Sequence, residues 1–128
     1  MEPLLILLLR RYNILKEIGK LTGELQDTIL RNDQVSASLI LQMRAEEIEK
    51  YEKCQEEIGL LAERGEQEAA AVKRLAYAPL ESIRITGDAD EQKIYDIRKK
   101  MQKLLHEIQE KDRFLNKRVS GEKSYYKD

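Results

Sequence analysis

Residues 94–115 read IYDIRKKMQKLLHEIQEKDRFL, and this stretch decides the fold. Its apolar side chains follow steps of three and four residues, with one polar interruption at Lys111: Ile94, Ile97, Met101, Leu104, Ile108 and Leu115. This spacing places them along one face of a helix, and its persistence is typical of coiled coils and helical bundles. Asp88 is a suitable N-cap for the helix. The pattern predicts a helix over about residues 88–118, with a flexible tail over 119–128.

Two further helices are predicted upstream. Residues 3–31 carry an apolar stripe at helical spacing, and Asp33 can cap a second helix over about 34–76. A continuous second helix would be a rod of about 64 Å, since each residue adds about 1.5 Å. It is therefore either an elongated element or bent near Gly59 or Gly65, and the sequence leaves this open.

The loop over residues 77–87 lets the third helix return along the first two, because Pro79 ends a helix and Gly87 resets the chain. The sequence therefore predicts one all-α domain over residues 1–128, an elongated antiparallel three-helix bundle or coiled coil, with self-association left open. We expect the third helix to form core through Ile97, Met101, Leu104 and Ile108, packed against Ile48, Ile58 and Leu61.

Two glycines interrupt the first helix. Gly19 and Gly23 each cost roughly 1 kcal/mol relative to alanine in a helix interior. Lying four residues apart, they share a face and could admit the close approach of another helix. The alternative interpretation is that both are tolerated on the surface.

Composition excludes several classes of protein. The chain has 23 Lys plus Arg against 24 Asp plus Glu, so no excess of positive charge is available for a histone-like nucleic-acid binder. The only uninterrupted apolar run, Leu4–Leu9, would span roughly 9 Å as a helix, against about 30 Å of membrane hydrocarbon. It also lacks the flanks of a signal peptide. We expect a cytoplasmic protein without membrane insertion.

No pattern of residues indicates catalysis. The stretch His106–Glu110 begins like a helical zinc-protease motif, but Glu110 stands where that motif needs a second histidine. Cys54 falls on an apolar seam, where a thiol acts as a small hydrophobic group. The sequence predicts no enzyme, no metal and no cofactor.

Charge divides the chain into two parts. Residues 93–128 carry eleven basic and six acidic residues, a net charge of +5, and the remainder carries −6. The basic part could touch nucleic acid, but it offers few aromatic side chains for stacking on bases. Electrostatic attraction within the molecule, to the acidic second helix, is the simpler interpretation.

Two segments resemble the small flagellar type III export chaperones of the FlgN and FliT kind. The first is Glu24–Asp33, in which a helix ends in an aspartate. The second runs through Leu39–Leu41 to Met43–Ile48, a helix in which a basic residue is followed by an acidic and aliphatic turn. The resemblance implies an all-helical cytosolic protein that binds the C-terminal helices of flagellar hook-associated or filament-cap proteins and delivers them to the export apparatus.

A partner helix is also consistent with the surplus of apolar surface in Leu4–Leu9, which has apolar residues on every side of its helix. The residues we expect to bind a protein partner are Leu5, Leu8, Leu9, Ile97, Met101, Leu104, Ile108, Leu115, Tyr125 and Tyr126. Two alternatives remain open. One is a structural coiled-coil homodimer or scaffold without a substrate, and the weaker one is a helical hairpin associated with nucleic acid.

Overall fold

A computed structural model describes residues 1–84 and 86–127, with side chains described as far as residue 118. Its four α-helices are α1 (Glu2–Leu30), α2 (Gln34–Ala62), α3 (Glu66–Val72) and α4 (Ala89–Lys127). A π-helical turn (Lys73–Tyr77) prolongs α3, and a 3₁₀ turn (Leu80–Ser82) follows it. The part of the chain so described contains no strand, and the predicted all-α helical bundle is confirmed.

The last helix extends further than the sequence indicated. The prediction ended it at about residue 118, whereas α4 continues to Lys127. The side chains of Tyr125 and Tyr126, which we expected to bind a partner, lie outside the described part of the chain, as does residue 128.

The three long helices run up, down and up. At one end of the bundle, which we call the near end, the N-terminal ammonium of Met1 lies 3.9 Å from a carboxylate oxygen of Asp90. At the other, the far end, Leu25 of α1 packs with Leu115 of α4 and with Ala37, close to the start of α2. α1 and α4 are therefore parallel, and α2 is antiparallel to both.

α1 is the central helix, because it lies against α2 on one side and α4 on the other. Met101 and Ile108 of α4 accordingly pack with Leu15 and Ile18 of α1. The expected contact of this seam with Ile48 was wrong, because Ile48 is 36% exposed. The apolar face of α4 was assigned correctly, but in the middle of the bundle it packs mainly on α1, with Tyr51 of α2 at its edge.

Ile58 and Leu61 are core residues, as predicted, but they belong to the near end. Ile97 packs against this cluster as well as the middle one. Among the side chains that the structure describes, the buried apolar core thins along the bundle, from eight residues in the near-end cluster to four in the middle and three at the far end. The near-end cluster comprises Leu4, Leu8, Ile58, Leu61, Val72, Leu75, Ala76 and Ile94.

The predicted second helix is interrupted after Ala62, and Gly65 precedes α3. Of the two bend sites left open, Gly65 lies at the break and Gly59 lies inside α2. The break returns the chain toward the bundle, since Val72 joins the same buried cluster as Ile58.

Both predicted N-caps are present. The backbone N–H of Ser36 donates to Asp33 Oδ1 at 3.1 Å, and hydrogen bonding from the side chain and then from the backbone of Ser36 lowers the pKa of the Asp33 carboxyl. The backbone N–H of Asp90 donates to Asp88 Oδ1 at 2.8 Å. Asn32, just before the first cap, has φ of 57°, a conformation that asparagine tolerates better than most residues. These local rules place the turns on which the bundle depends.

Candidate functional site

The residues expected to bind a partner do not form one surface. Four of them are buried in the core: Leu8, Met101, Ile108 and Leu115. Leu5, Ile97 and Leu104 are partly buried against core clusters, and Leu9 is 46% exposed. The apolar seam of α4 is covered by α1 of the same chain. In this conformation a partner protein must therefore bind through other residues. The assigned partner-binding role stays a prediction.

A different surface lies where an ion pair joins α2 to α4. Arg44 of α2 donates two hydrogen bonds from Nη2 to the carboxylate of Asp112 on α4, at 2.9 and 2.7 Å. Leu41 and Ile48 lie three residues before and four after Arg44, so they share its side of α2. Leu105 lies seven residues before Asp112 and shares its side of α4. We call the surface formed by Leu41, Ile48 and Leu105 over this ion pair the α2–α4 groove.

The apolar members of the groove are open to solvent. Leu41 is 49% exposed, Ile48 is 36% exposed and Leu105 is 36% exposed. By contrast, the side chain of Arg44 is only 17% exposed. Exposed apolar side chains therefore lie on both helices near an ion pair that is largely shielded from solvent.

The start of α2 carries unusually little charge. Residues 34–43 contain no charged side chain, although 37% of the chain is charged. Exposed apolar side chains also lie there outside the groove, among them Val35, Leu39 and Met43. The uncharged stretch is the sequence signal that could have drawn attention to this half of α2, whereas apolar periodicity assigned Ile48 to the core.

A row of lysines lies beside the groove on α4. Lys99 and Lys103 line a surface depression together with Leu105 and His106. Within the described residues, neither of these lysines has a carboxylate within 4 Å. These two lysines therefore do not make the expected ion pairs between the basic third helix and the acidic second helix. The ion pair Arg44–Asp112 does join the two helices, but its cation lies on α2 and its anion on α4.

Groups with nucleophilic or metal-binding chemistry do not converge on the groove. Cys54 is buried, its thiol donates to the carbonyl of Leu7 at 3.3 Å, and burial raises its pKa. His106 is exposed. Within the described part of the chain, no three His, Cys, Asp or Glu side chains are grouped as metal ligands would be.

One ionic junction secures the linker at the near end. Glu91, in the first turn of α4, accepts hydrogen bonds from Arg74 Nη1 at 2.8 Å and from Thr86 Oγ1 at 3.0 Å. The hydrogen bond from Arg74 is the main reason that the pKa of the Glu91 carboxyl lies below its usual value. This junction joins the π-helical turn, the linker and α4.

Comparisons with known proteins assign no relatives: a scan of protein-family models finds no match, and searches of curated proteins and of solved structures find none that is significant. Of the helices described, none combines the length and the apolar character needed to cross a membrane.

Proposed function

We propose that this protein is a helix-binding chaperone whose α2–α4 groove receives an amphipathic helix of a partner protein. The observation that carries the proposal is the groove itself, with apolar side chains exposed on both α2 and α4. The helix α1 already packs against both of these helices. A helix laid into this space would complete a four-helix arrangement and cover Leu41, Ile48 and Leu105.

The charges beside the groove favour a partner helix with an acidic margin. Lys99 and Lys103 make no ion pair with the described residues and line a surface depression of α4 together with Leu105. Carboxylates along the edge of the incoming helix would be attracted to them, mainly speeding the encounter. A helix with an apolar face and an acidic edge therefore fits better than a second copy of α4, which is itself basic.

The resemblance to flagellar export chaperones makes this proposal more specific. The proposed partners are the C-terminal amphipathic helices of hook-associated or filament-cap proteins, bound in the cytoplasm before export. The exposed, uncharged start of α2 gives such a helix further apolar surface to cover, since Val35 is 84% exposed and Leu39 is 58% exposed.

Calorimetric titration of the full chain with such C-terminal peptides tests the proposal. We expect saturable binding that Leu105→Glu and Ile48→Glu abolish, because each places a carboxylate in the apolar rim. Leu60→Glu is the matched control: Leu60 is 60% exposed on α2 but lies outside the groove, so its replacement should leave binding unchanged.

Three results would count against the proposal. One is the absence of binding by every peptide, both to the full chain and to a chain lacking residues 119–128. Another is an equal loss of binding in the control and groove variants. The third is sedimentation of the free chain as a dimer that Leu105→Glu converts to a monomer, which would favour the structural homodimer.

A further inference from the structure

A cleft of about 390 Å³ lies between α2, α4 and the linker. It adjoins the groove on the side toward Met1 and Asp90, which is the near end of the bundle. Its walls are partly apolar, with Met101 and Leu105 from α4 and Pro79 and Leu80 from the linker. The volume falls within the range of small-molecule sites, roughly 300–1,000 Å³. Two guanidinium groups, those of Arg11 and Arg98, also line it.

Arg11 is a buried cation that has no anionic partner among the described residues. The residue is only 8% exposed, and its Nε has no hydrogen-bond partner. Its guanidinium carbon lies 5.8 Å from the centre of the Tyr51 ring, and within the described chain no carboxylate lies within 4 Å of it. Its neighbour Arg10, by contrast, is paired with Glu57 at 2.8 Å. A buried charge is costly unless it is paired, so an unpaired guanidinium at a cleft favours an external anion.

Arg98 adds a second cation to the same cleft. It donates from Nη1 to the carbonyl of Leu75 at 3.0 Å, and no described carboxylate lies within 4 Å of its guanidinium. Burial, and then the positive charge of Arg11, lower the pKa of Arg98. Two like charges thus line one cleft, and no carboxylate of the described chain lies within 4 Å of either. An anion bound between them would relieve their repulsion.

The lining indicates which anion fits. Of the described residues, Glu81 is the one acidic residue that lines the cleft, and it is exposed. The three charged groups therefore sum to +1, which matches a monoanion better than a phosphate dianion. Guanidinium groups bind carboxylates through paired N–H donors, and the apolar walls suit an apolar body attached to the carboxylate. We propose that this cleft binds a monocarboxylate carried on an apolar group, held by Arg11 and Arg98. This inference does not depend on the proposed helix binding.

The test is calorimetric titration of the full chain with 4-phenylbutyrate and with its neutral amide, 4-phenylbutyramide. A second pair of probes, a capped peptide with one glutamate between leucine and phenylalanine and its glutamine counterpart, distinguishes a polypeptide carboxylate from a free acid. We expect at least one acid to bind about tenfold or more tightly than its neutral counterpart, as a charge-assisted hydrogen bond predicts. Binding by the free acid alone or by the peptide alone identifies the source of the carboxylate, and either supports the site.

Variants assign the binding to the cleft. Arg11→Met and Arg98→Gln should each weaken acid binding by about tenfold or more. Arg10→Gln, the adjacent but paired arginine, should leave it unchanged. Arg11→Met should also unfold at the same temperature as the parent chain or a higher one, because it removes an unpaired buried charge. The inference is overturned if neither acid binds, if the acids bind no better than their neutral counterparts, or if the arginine variants bind as well as the parent.

Discussion

α4 packs closely against Gly19 of α1. A Cβ placed there would lie 3.2 Å from Leu104 Cδ1 and 3.5 Å from Ile108 Cδ1. Gly59 is also inside a helix, but nothing lies within 4 Å of the corresponding position. At Gly23 the nearest atom is the tip of Lys111, at 3.5 Å. The sequence left open whether the two glycines admit another helix or are merely tolerated on the surface. Gly19 admits the close approach of α4, whereas Gly23 is better described as a tolerated surface glycine.

These distances predict different effects of one substitution at two sites. Gly59→Ala should raise the free energy of unfolding by roughly 0.5–1 kcal/mol, the usual difference between alanine and glycine within a helix. Gly19→Ala should gain less, or lose stability, because Leu104 must move by a few tenths of an ångström. Urea unfolding of both variants measures this difference. An equal gain at the two sites would contradict the helix contact described at Gly19.

At the scale of elements, the linker depends on the ionic junction at Glu91. Because the folded-state pKa of Glu91 is lowered, its stabilising contribution is fully present above the carboxyl's ordinary pKa and is lost as the pH falls through the lowered value. Glu91→Gln should therefore lower the melting temperature at neutral pH, and the difference from the parent should disappear in acid. Thermal unfolding followed across the acid range measures this dependence.

Glu81→Gln is a suitable control for the junction, because Glu81 is also in the linker region but is exposed and makes no ion pair in the described part of the chain. Its melting temperature should follow that of the parent at every pH. A difference between parent and Glu91→Gln that persists unchanged in acid would show that the junction acts through packing and not through charge.

The elements also show how much the sequence could predict. N-caps such as Asp33 and Asp88 depend on local sequence alone, because the carboxylate accepts a hydrogen bond from an N–H group only a few residues away. Both caps were predicted. The seam of α4 was predicted because periodicity reports which face is apolar. Periodicity does not report which neighbouring helix covers that face. Ile48 was therefore assigned to the core, although Leu15 and Ile18 of α1 pack against the middle of the α4 seam. Arg11 gave no sequence signal at all, because only the fold distinguishes it from its paired neighbour Arg10.

At the scale of the whole molecule, stability should be unequal along the bundle. Among the described side chains, the near-end cluster buries eight apolar residues, whereas the far-end cluster buries three, one of them the small Ala37. Burial of apolar surface is the main stabilising term, at roughly 25 cal/mol per Å². Local opening therefore requires less free energy at the far end than at the near end. The exposed start of α2 lies at this weaker end.

Hydrogen exchange of the backbone amides measures this gradient. Amides of α1 and α2 around Leu25 and Ala37 should exchange well before those around Leu8 and Ile58. Leu115→Ala should speed exchange at the far end while leaving the near end unchanged, because the two clusters share no residue. A partner helix bound along the start of α2 should slow far-end exchange, since opening would then require its release. Uniform protection along the bundle, or equal acceleration at both ends in Leu115→Ala, would show instead that the bundle opens only as a single unit.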